Sequence, residues 1–341
     1  MGIVIAIALF SAIVLFHELG HFLFAKYHKV KVEEFALGLG PTIVGKQIGE
    51  TKYSIKLLPF GGCCMMKGEE DPSDQEDDSF SAKSPLAIIS ILFAGPMFNF
   101  IFAFVTAFFL ILAVGTDLPV AGPVEEGSAA YEAGIREGDE IISLDGDRIT
   151  NFRELSLYNV FHQKDPEVTV LYERDGQEFT TEMLRTKNEK GQYQMGIMSS
   201  GYTRVSPAQV LPRCILEMKL QVSNTYQSLK GLFTGAISVK QLSGPVGIVQ
   251  SVSGSYQDTN QNGLFAVLVM IMNYSLLLNV NLGVMNLLPI PALDGGHILF
   301  AFIEIIRGKK FKYEEVYQAI GMATLFSLMI IVFVWDIVRI F

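Results

Sequence analysis

The stretch HELGH, formed by residues 17–21, combines residue types whose spacing can do chemistry. Residues four apart lie on one face of a helix, so His17 and His21 can present their imidazoles to one metal ion. Glu18 follows His17 directly and is close enough to accept a proton from a water molecule at that metal. The pattern therefore predicts a zinc site with two histidine ligands and a glutamate base.

The chain around this motif is almost entirely apolar. Between residues 1 and 25, Glu18 is the one charged residue. A carboxylate near the centre of a membrane helix costs roughly 2.5–3.5 kcal/mol on insertion scales, and a divalent cation beside it would offset that cost. A chance match or a pair of core histidines is the competing interpretation, which this cost disfavours. His28 lies among three lysines and is predicted to be a solvated histidine at the membrane surface.

A second stretch, residues 279–297, offers the missing ligand, since a catalytic zinc ion usually has three protein ligands and a water molecule. Asp294 follows Pro289 and Pro291, which break a helix. Irregular backbone at membrane depth is tolerated where it is buried in protein or lines a cavity, and an ionisable residue there indicates function. Asp294 is thus the preferred third ligand. His297 competes for this place and otherwise supports the site or the fold.

Other polar residues near the two motifs are candidates for active-site contacts or, less strongly, for metal ligands. Asn281 and Asn286 precede the prolines and are predicted to be polar groups of the active site. Glu33 and Glu34 lie in a segment that reads as short alternating strands with glycine turns, and they are weak candidates for metal ligands.

The elements that must position these residues are membrane helices. Half of the 341 residues are hydrophobic and only 18% are charged, which is too apolar for a soluble enzyme of this size. Residues 1–25, 85–116, 264–293 and 318–335 each come close to the roughly 20 apolar residues that span a bilayer. The first segment lacks a basic leader and a small-residue cleavage pattern, so we predict a retained helix and not a signal peptide. The sequence therefore predicts an α-helical polytopic membrane protein with four transmembrane helices.

The distribution of basic residues predicts the orientation. Eight lysines lie between the first two segments, and four lysines or arginines lie between the last two. Short loops rich in Lys and Arg face the cytoplasm, so both termini and the polar stretch of about 150 residues face outward. Both motifs then lie near the cytoplasmic ends of their helices. A net charge of −9 argues against a nucleic-acid partner, and the three cysteines form neither a disulfide framework nor a CxxC metal pair.

Taken together, these motifs resemble the site-2 protease family of intramembrane zinc metalloproteases. The resemblance joins HELGH to the pattern N-x-x-P-x-P-x-L-D-G-G-H at residues 286–297, and it extends over almost the whole chain. FAGPMFNF, GLGP, LLPFGG and LSGPVGI are similar to the bacterial branch that carries an extracytoplasmic PDZ domain. Residues 127–146 also match the glycine-rich pattern of a PDZ domain, followed by an amphipathic helix and a hairpin across Asp175-Gly176.

The resemblance implies specific roles. One Zn²⁺ would be held by His17, His21 and Asp294, and Glu18 would activate the water molecule. Asn286 would contact the substrate backbone or stabilise the oxyanion, and Asn281 would be a second polar contact. Residues 35–66 would form a membrane-associated β-sheet whose edge pairs with an unwound substrate segment.

The expected activity is cleavage within or beside the transmembrane helix of single-pass proteins in the bacterial plasma membrane. By resemblance, the substrates would be anti-sigma factors already trimmed outside the membrane, or remnant signal peptides. Two rival functions are a silent scaffold that binds peptides through its PDZ domain, and a metal transporter. The PDZ domain itself would capture peptides, restrict access by its bulk, or do both. The amphipathic stretch at 206–237 is a candidate gate on the outer membrane surface.

The predicted organisation follows the four helices and the loops between them. In chain order, the predicted parts are 1–26, first transmembrane helix; 27–84, cytoplasmic loop with the β-sheet; 85–114, second helix; 115–200, α/β PDZ domain; 201–262, extracytoplasmic linker; 263–306, third helix; 307–316, cytoplasmic loop; 317–341, fourth helix.

Overall fold

The computed structural model describes residues 1–69, 71, 73–163, 165–188, 191–235, 243–309, 311 and 313–339. The chain divides into two compact units, one made of Met1–Thr106 with Ser238–Phe341 and the other of Ala107–Ile237. The described helices are α1 (Gly2–Tyr27), α2 (Pro85–Val114), α3 (Ala129–Glu132), α4 (Arg153–Phe161), α5 (Pro207–Thr234), α6 (Pro245–Thr259), α7 (Leu264–Asn286), α8 (Asp294–Arg307) and α9 (Glu314–Val338). The described strands are β1 (Val32–Ile48), β2 (Thr51–Met66), β3 (Thr116–Asp117), β4 (Ala121–Val124), β5 (Glu140–Leu144), β6 (Asp147–Arg148), β7 (Glu167–Arg174), β8 (Gln177–Leu184), β9 (Thr186–Lys187), β10 (Tyr193–Gln194), β11 (Ile197–Ser199) and β12 (Tyr202–Thr203).

Four of the described helices are long and apolar enough to cross a membrane. They are α1, α2, α7 and α9, and all belong to the segments that the sequence predicts to be apolar spans. Their outward apolar side chains, such as Ile3, Phe109 and Phe326, are about half exposed in the protein itself. Such exposure suits a lipid environment, in which an apolar side chain needs no protein partner.

The third apolar segment is broken, as its prolines predict. Helix α7 ends at Asn286 and α8 begins at Asp294, so the stretch predicted as one helix over 263–306 forms two helices joined by a turn. Ala292 in this turn has a φ of +67°, a left-handed conformation that is rare for residues other than glycine. The break places Asp294 in the first turn of α8.

Helices α1 and α2 approach each other closely at small residues. A Cβ atom added at Gly20 would lie 2.3 Å from the carbonyl oxygen of Ala94, so no larger residue fits at this crossing. One turn away, the rings of Phe16 and Phe102 stack with their centroids 4.1 Å apart. The close crossing brings the face of α1 that carries the first motif against α2.

Strands β1 and β2 form an antiparallel sheet beside α1. Residues 34–37 of β1 pair on one side with residues 62–65 and on the other with residues 52–55, because the chain bends back within each strand. The sequence predicts short strands with glycine turns here. The structure has two long strands that bend back at irregularities into short paired segments, with positive φ angles at Gly38 and Gly61. Exposed apolar residues occupy the distal part of this sheet, among them Ile43, Val44, Leu57 and Leu58.

The unit formed by Ala107–Ile237 contains the polar middle of the chain. Its largest sheet has the strand order β6-β5-β7-β8, and its core is made of fully buried residues that include Ile135, Ile141, Leu144, Val170 and Met183. The predicted short helix after Ser128, the helix α4 and the hairpin across Asp175-Gly176 are confirmed. The predicted amphipathic stretch forms α5, whose apolar residues Leu211, Ile215 and Tyr226 are more than half exposed.

Candidate metal centre

Three potential metal-ligand atoms meet between α1 and the start of α8. The Nε2 atoms of His17 and His21 lie 3.1 Å apart, and Asp294 Oδ2 lies 3.3 Å from the first and 3.5 Å from the second. A tetrahedral zinc site with bonds of ~2.0–2.1 Å has ligand–ligand edges of about 3.3–3.4 Å. The spacing of the three atoms therefore fits one face of such a tetrahedron. In the described part of the chain, this is the one group of three or more His, Cys, Asp or Glu residues with metal-site spacing.

A carbonyl group fixes the proton on His21. Its Nδ1 donates to the carbonyl oxygen of Ile91 on α2 at 2.9 Å, so the proton is on Nδ1 and the Nε2 lone pair faces the centre of the cluster. His21 is only 6% exposed. A buried imidazole held in this tautomer is prepared to bind a metal ion through Nε2.

Two asparagines contact His17. Asn99 of α2 places its amide 3.1 Å from Nδ1, and Asn286 places its amide nitrogen 3.4 Å from Nε2. Asn99 is fully buried, and its Oδ1 has no hydrogen-bond partner among the described residues. Turning this amide by 180° would let Oδ1 accept a proton from His17 Nδ1, which leaves Nε2 free for a metal ion. Asn99 thus helps to orient His17.

Asn99 belongs to the segment FAGPMFNF, but no sequence pattern singles this residue out. The available signal was an amide side chain in a segment without charged residues, at a depth where polar groups need partners. Its partner, His17, is 82 residues away in the chain, so spacing within a motif could not reveal it.

Asp294 satisfies the requirements of a third ligand. Its Oδ2 is buried, and among the described residues it accepts no hydrogen bond. The two imidazoles of His17 and His21 lie close to this oxygen. A buried carboxylate oxygen without donors is costly unless a cation completes its surroundings. The donor set of two imidazoles and one carboxylate is also one that zinc prefers, so these residues fit the ion.

Glu18 lies on the side of the cluster that faces the β-sheet. It is half-buried, its carboxylate is approached by the backbone N–H of Cys64, and its Cγ would be 2.9 Å from a Cβ at Gly62. Strand β2 therefore restricts the position of the glutamate, and Gly62 leaves the space that its side chain occupies.

Gly95 of α2 keeps space open beside the two imidazoles. A Cβ atom there would lie 2.3 Å from His21 Nε2 and 2.8 Å from His17 Cε1. Any larger residue at this position of α2 would occupy the volume next to both imidazoles. The glycine in FAGPMFNF is thus explained by a close approach to the cluster.

The remaining candidates lie elsewhere. Asn281 is five residues before Asn286 on α7, which turns it about 140° around the helix axis. His297, one turn into α8, does not belong to the cluster. Glu34 is paired with Lys52 and Lys56; partial burial raises its pKa, and hydrogen bonds from Ser54, Lys56 and Lys52 outweigh this and lower the pKa to about 2.

Comparisons with known proteins identify the family of this chain. The model of peptidase family M50, the site-2 proteases, matches residues 5–328, a range that contains every residue of the cluster. The chain belongs to peptidase family M50. It is therefore a zinc metallopeptidase, and proteolysis within membranes is the general function of the M50 family.

Bacterial relatives carry names of the same kind. Proteins of Clostridium perfringens and Clostridium acetobutylicum, both named as candidate zinc metalloproteases, are 35% and 36% identical to this chain and cover 99% of it, over 99% and 97% of their own lengths. A protein of the same description from Campylobacter jejuni is 35% identical over 97% of this chain. Among solved structures, the PDZ domain of an SdrC-like protein from Listeria monocytogenes matches 25% of the chain at 20% identity and a TM-score of 0.23, a likeness too low to carry a conclusion.

Proposed function

We propose that this M50 peptidase is an intramembrane endopeptidase that cleaves transmembrane segments of single-pass proteins with the help of one zinc ion. The observation that supports it best is the convergence of His17, His21 and Asp294 beside Glu18 in helices that are apolar enough to span a bilayer. His17, His21 and Asp294 would hold the ion. When bound, zinc lowers the pKa of water towards about 7 and polarises a carbonyl group.

The residues around the ion then have distinct tasks. Glu18 accepts the proton of the attacking water and returns it to the leaving amine. Ile91 and Asn99 hold the two imidazoles in the orientation that leaves Nε2 free. Asn286, whose amide nitrogen is within 3.4 Å of His17 Nε2, is placed to donate to the substrate carbonyl oxygen. Asn281 would contact the substrate further along α7.

Strand β2 offers a place for the substrate backbone. Residues 62–65 pair with β1 on one side, and no described strand pairs with their other side. This edge lies next to Glu18, since Gly62 and Cys64 both approach its side chain. A transmembrane helix hides its peptide groups, so an unwound segment needs new hydrogen-bond partners, and an open strand edge supplies them.

The unit formed by Ala107–Ile237 would act on the substrate before cleavage. We infer that it is a PDZ domain, and a cavity of about 260 Å³ lies between α4 and β11. Phe152, Leu155, Met195 and Ile197 line this cavity with apolar surface. A groove between a helix and a strand suits an extended peptide, which supports capture of a trimmed substrate. Restriction of access by bulk is compatible with the same arrangement.

The cellular setting follows from the same reasoning. The chain would lie in the plasma membrane of a bacterium, with its termini and PDZ domain outside and the metal centre near the cytoplasmic side. Anti-sigma factors trimmed outside the membrane, or remnant signal peptides, would be its substrates. The scaffold and transporter alternatives gain no support from the cluster, because neither requires a carboxylate base beside two imidazoles and a third ligand.

Reconstitution with a model substrate tests this proposal. The purified protein in liposomes is expected to cleave a single-pass protein within or beside its transmembrane segment, as located by mass spectrometry of the products. Treatment with a zinc chelator should reduce the cleavage at least ~100-fold, and added zinc should restore it. Cleavage confined to sites far outside the bilayer, or unaffected by the chelator, would contradict the proposal.

A further inference from the structure

The turn that precedes Asp294 contacts helix α9. The backbone N–H of Ala292 donates to Gln318 Oε1 at 2.6 Å. Ala292 has a positive φ and lies two residues before Asp294, and Leu293 between them is the residue that caps α8. A strained backbone conformation persists only where its surroundings enforce it. The Gln318 side chain is part of that enforcement.

A second contact lies one turn further along the same face of α9. A Cβ atom at Gly321 would be 1.8 Å from Cβ of Pro291, so the helix backbone touches the proline ring directly. Residues three apart share a helix face, so Gln318 and Gly321 both contact the turn from the same face of α9. The first turn of α8 is equally close to the preceding chain, since Cβ atoms at Gly295 and Gly296 would lie 2.3 Å from Leu288 O and 2.4 Å from Ile290 O.

Helix α9 is also fixed at its other end. The buried carboxylate of Asp336 accepts hydrogen bonds from the backbone N–H groups of Gly244 at 3.2 Å and Gly247 at 2.8 Å, at the start of α6. Helix α6 packs in turn on α1, where a Cβ at Gly2 would be 2.6 Å from Ser253 Oγ. Because α1 carries His17 and His21, α9 connects the turn of the third ligand to the helix that carries the other two.

We propose that Gln318, with Gly321, is a positioning residue of the metal centre that holds the Pro291–Leu293 turn so that Asp294 Oδ2 faces His17 and His21. This inference rests on the proposed metal ligands. Without the Gln318 acceptor, the partly buried Ala292 N–H loses this hydrogen bond, and the turn relaxes towards ordinary φ values. Asp294, two residues on, then shifts relative to the imidazoles. A displaced ligand weakens metal binding, as the loss of residues that support ligands does in other zinc sites.

The test compares Gln318→Leu, which removes the acceptor, with Gln318→Glu, which keeps an oxygen at the same place. Zinc affinity is measured by competition with a chelator, and the cobalt-substituted protein is examined by its visible absorption spectrum. We expect Gln318→Leu to bind zinc about 10-fold more weakly with an altered cobalt spectrum, and Gln318→Glu to stay within about threefold of wild type. Thr324→Val is the matched control, since its hydroxyl bonds within α9 to Ile320.

Two further variants, each with one glycine replaced, keep the test valid if Gln318→Leu fails to fold. Gly321→Ala should also weaken zinc binding, whereas Gly254→Ala on α6, where a Cβ meets no atom of the described residues within 4 Å, should not. Wild-type affinity and an unchanged cobalt spectrum in both Gln318→Leu and Gly321→Ala would overturn the inference. An equal loss in Thr324→Val would overturn it as well. If wild type bound no zinc, the proposed metal site itself would fail, which is a different result.

Discussion

Glu18→Gln is expected to lower the kcat for substrate cleavage about 10²–10⁴-fold while the protein keeps its zinc. The amide has nearly the same shape as the carboxylate and still fits the space beside Gly62, but it cannot accept the proton of the attacking water. His17, His21 and Asp294 are unchanged, so metal binding should persist. The measurement is single-turnover cleavage of the reconstituted substrate, together with the zinc content of the same preparation.

The matched control is Glu33→Gln, an isosteric change at an exposed glutamate on β1. It should leave the cleavage rate near that of wild type. Undiminished cleavage by Glu18→Gln would refute its assignment as the base. Undiminished cellular function of a variant that cleaves nothing would instead favour a scaffold role.

Asp294→Ala is expected to remove the metal. The change deletes one of three ligands, so zinc affinity should fall by at least about 100-fold, beyond what the loss of a supporting residue costs, and cleavage should become undetectable. His297→Ala is the informative comparison, because that residue competes with Asp294 in sequence reasoning yet lies outside the cluster. It should retain most of its zinc, measured after dialysis against a weak chelator.

The opposite pattern would reassign the ligand. If His297→Ala lost its zinc and Asp294→Ala kept it, the turn between α7 and α8 would have to move so that the imidazole replaces the carboxylate. The contacts of Gly295 and Gly296 with the preceding carbonyl groups leave little room for such a movement.

Much of the candidate site could be predicted from the sequence because its chemistry lies in short motifs. Helical periodicity alone places His17 and His21 on one face, and the structure has their Nε2 atoms 3.1 Å apart. The prolines before Asp294 predict the break between α7 and α8. The number of residues between the two motifs does not say whether they meet in space. Their convergence could therefore be seen only in the structure.

The supporting residues could not be predicted in the same way. Asn99 and Gln318 belong to no spacing pattern, and their partners, His17 and Ala292, lie 82 and 26 residues away in the chain. A polar residue in an apolar helix signals only that it needs a partner, and many partners are possible. The pairing of β1 with β2 was also beyond the sequence, since each strand bends and its alternation changes at the bulges.

The most direct test of the metal centre is X-ray absorption at the zinc edge of the purified wild-type protein. A site made of His17, His21 and Asp294 predicts about one zinc per chain, with nitrogen and oxygen neighbours at ~2.0–2.1 Å and the outer scattering of two imidazole rings. A sulfur neighbour at about 2.3 Å, which would implicate the cysteines of β2, or a spectrum unchanged in Asp294→Ala, would contradict it.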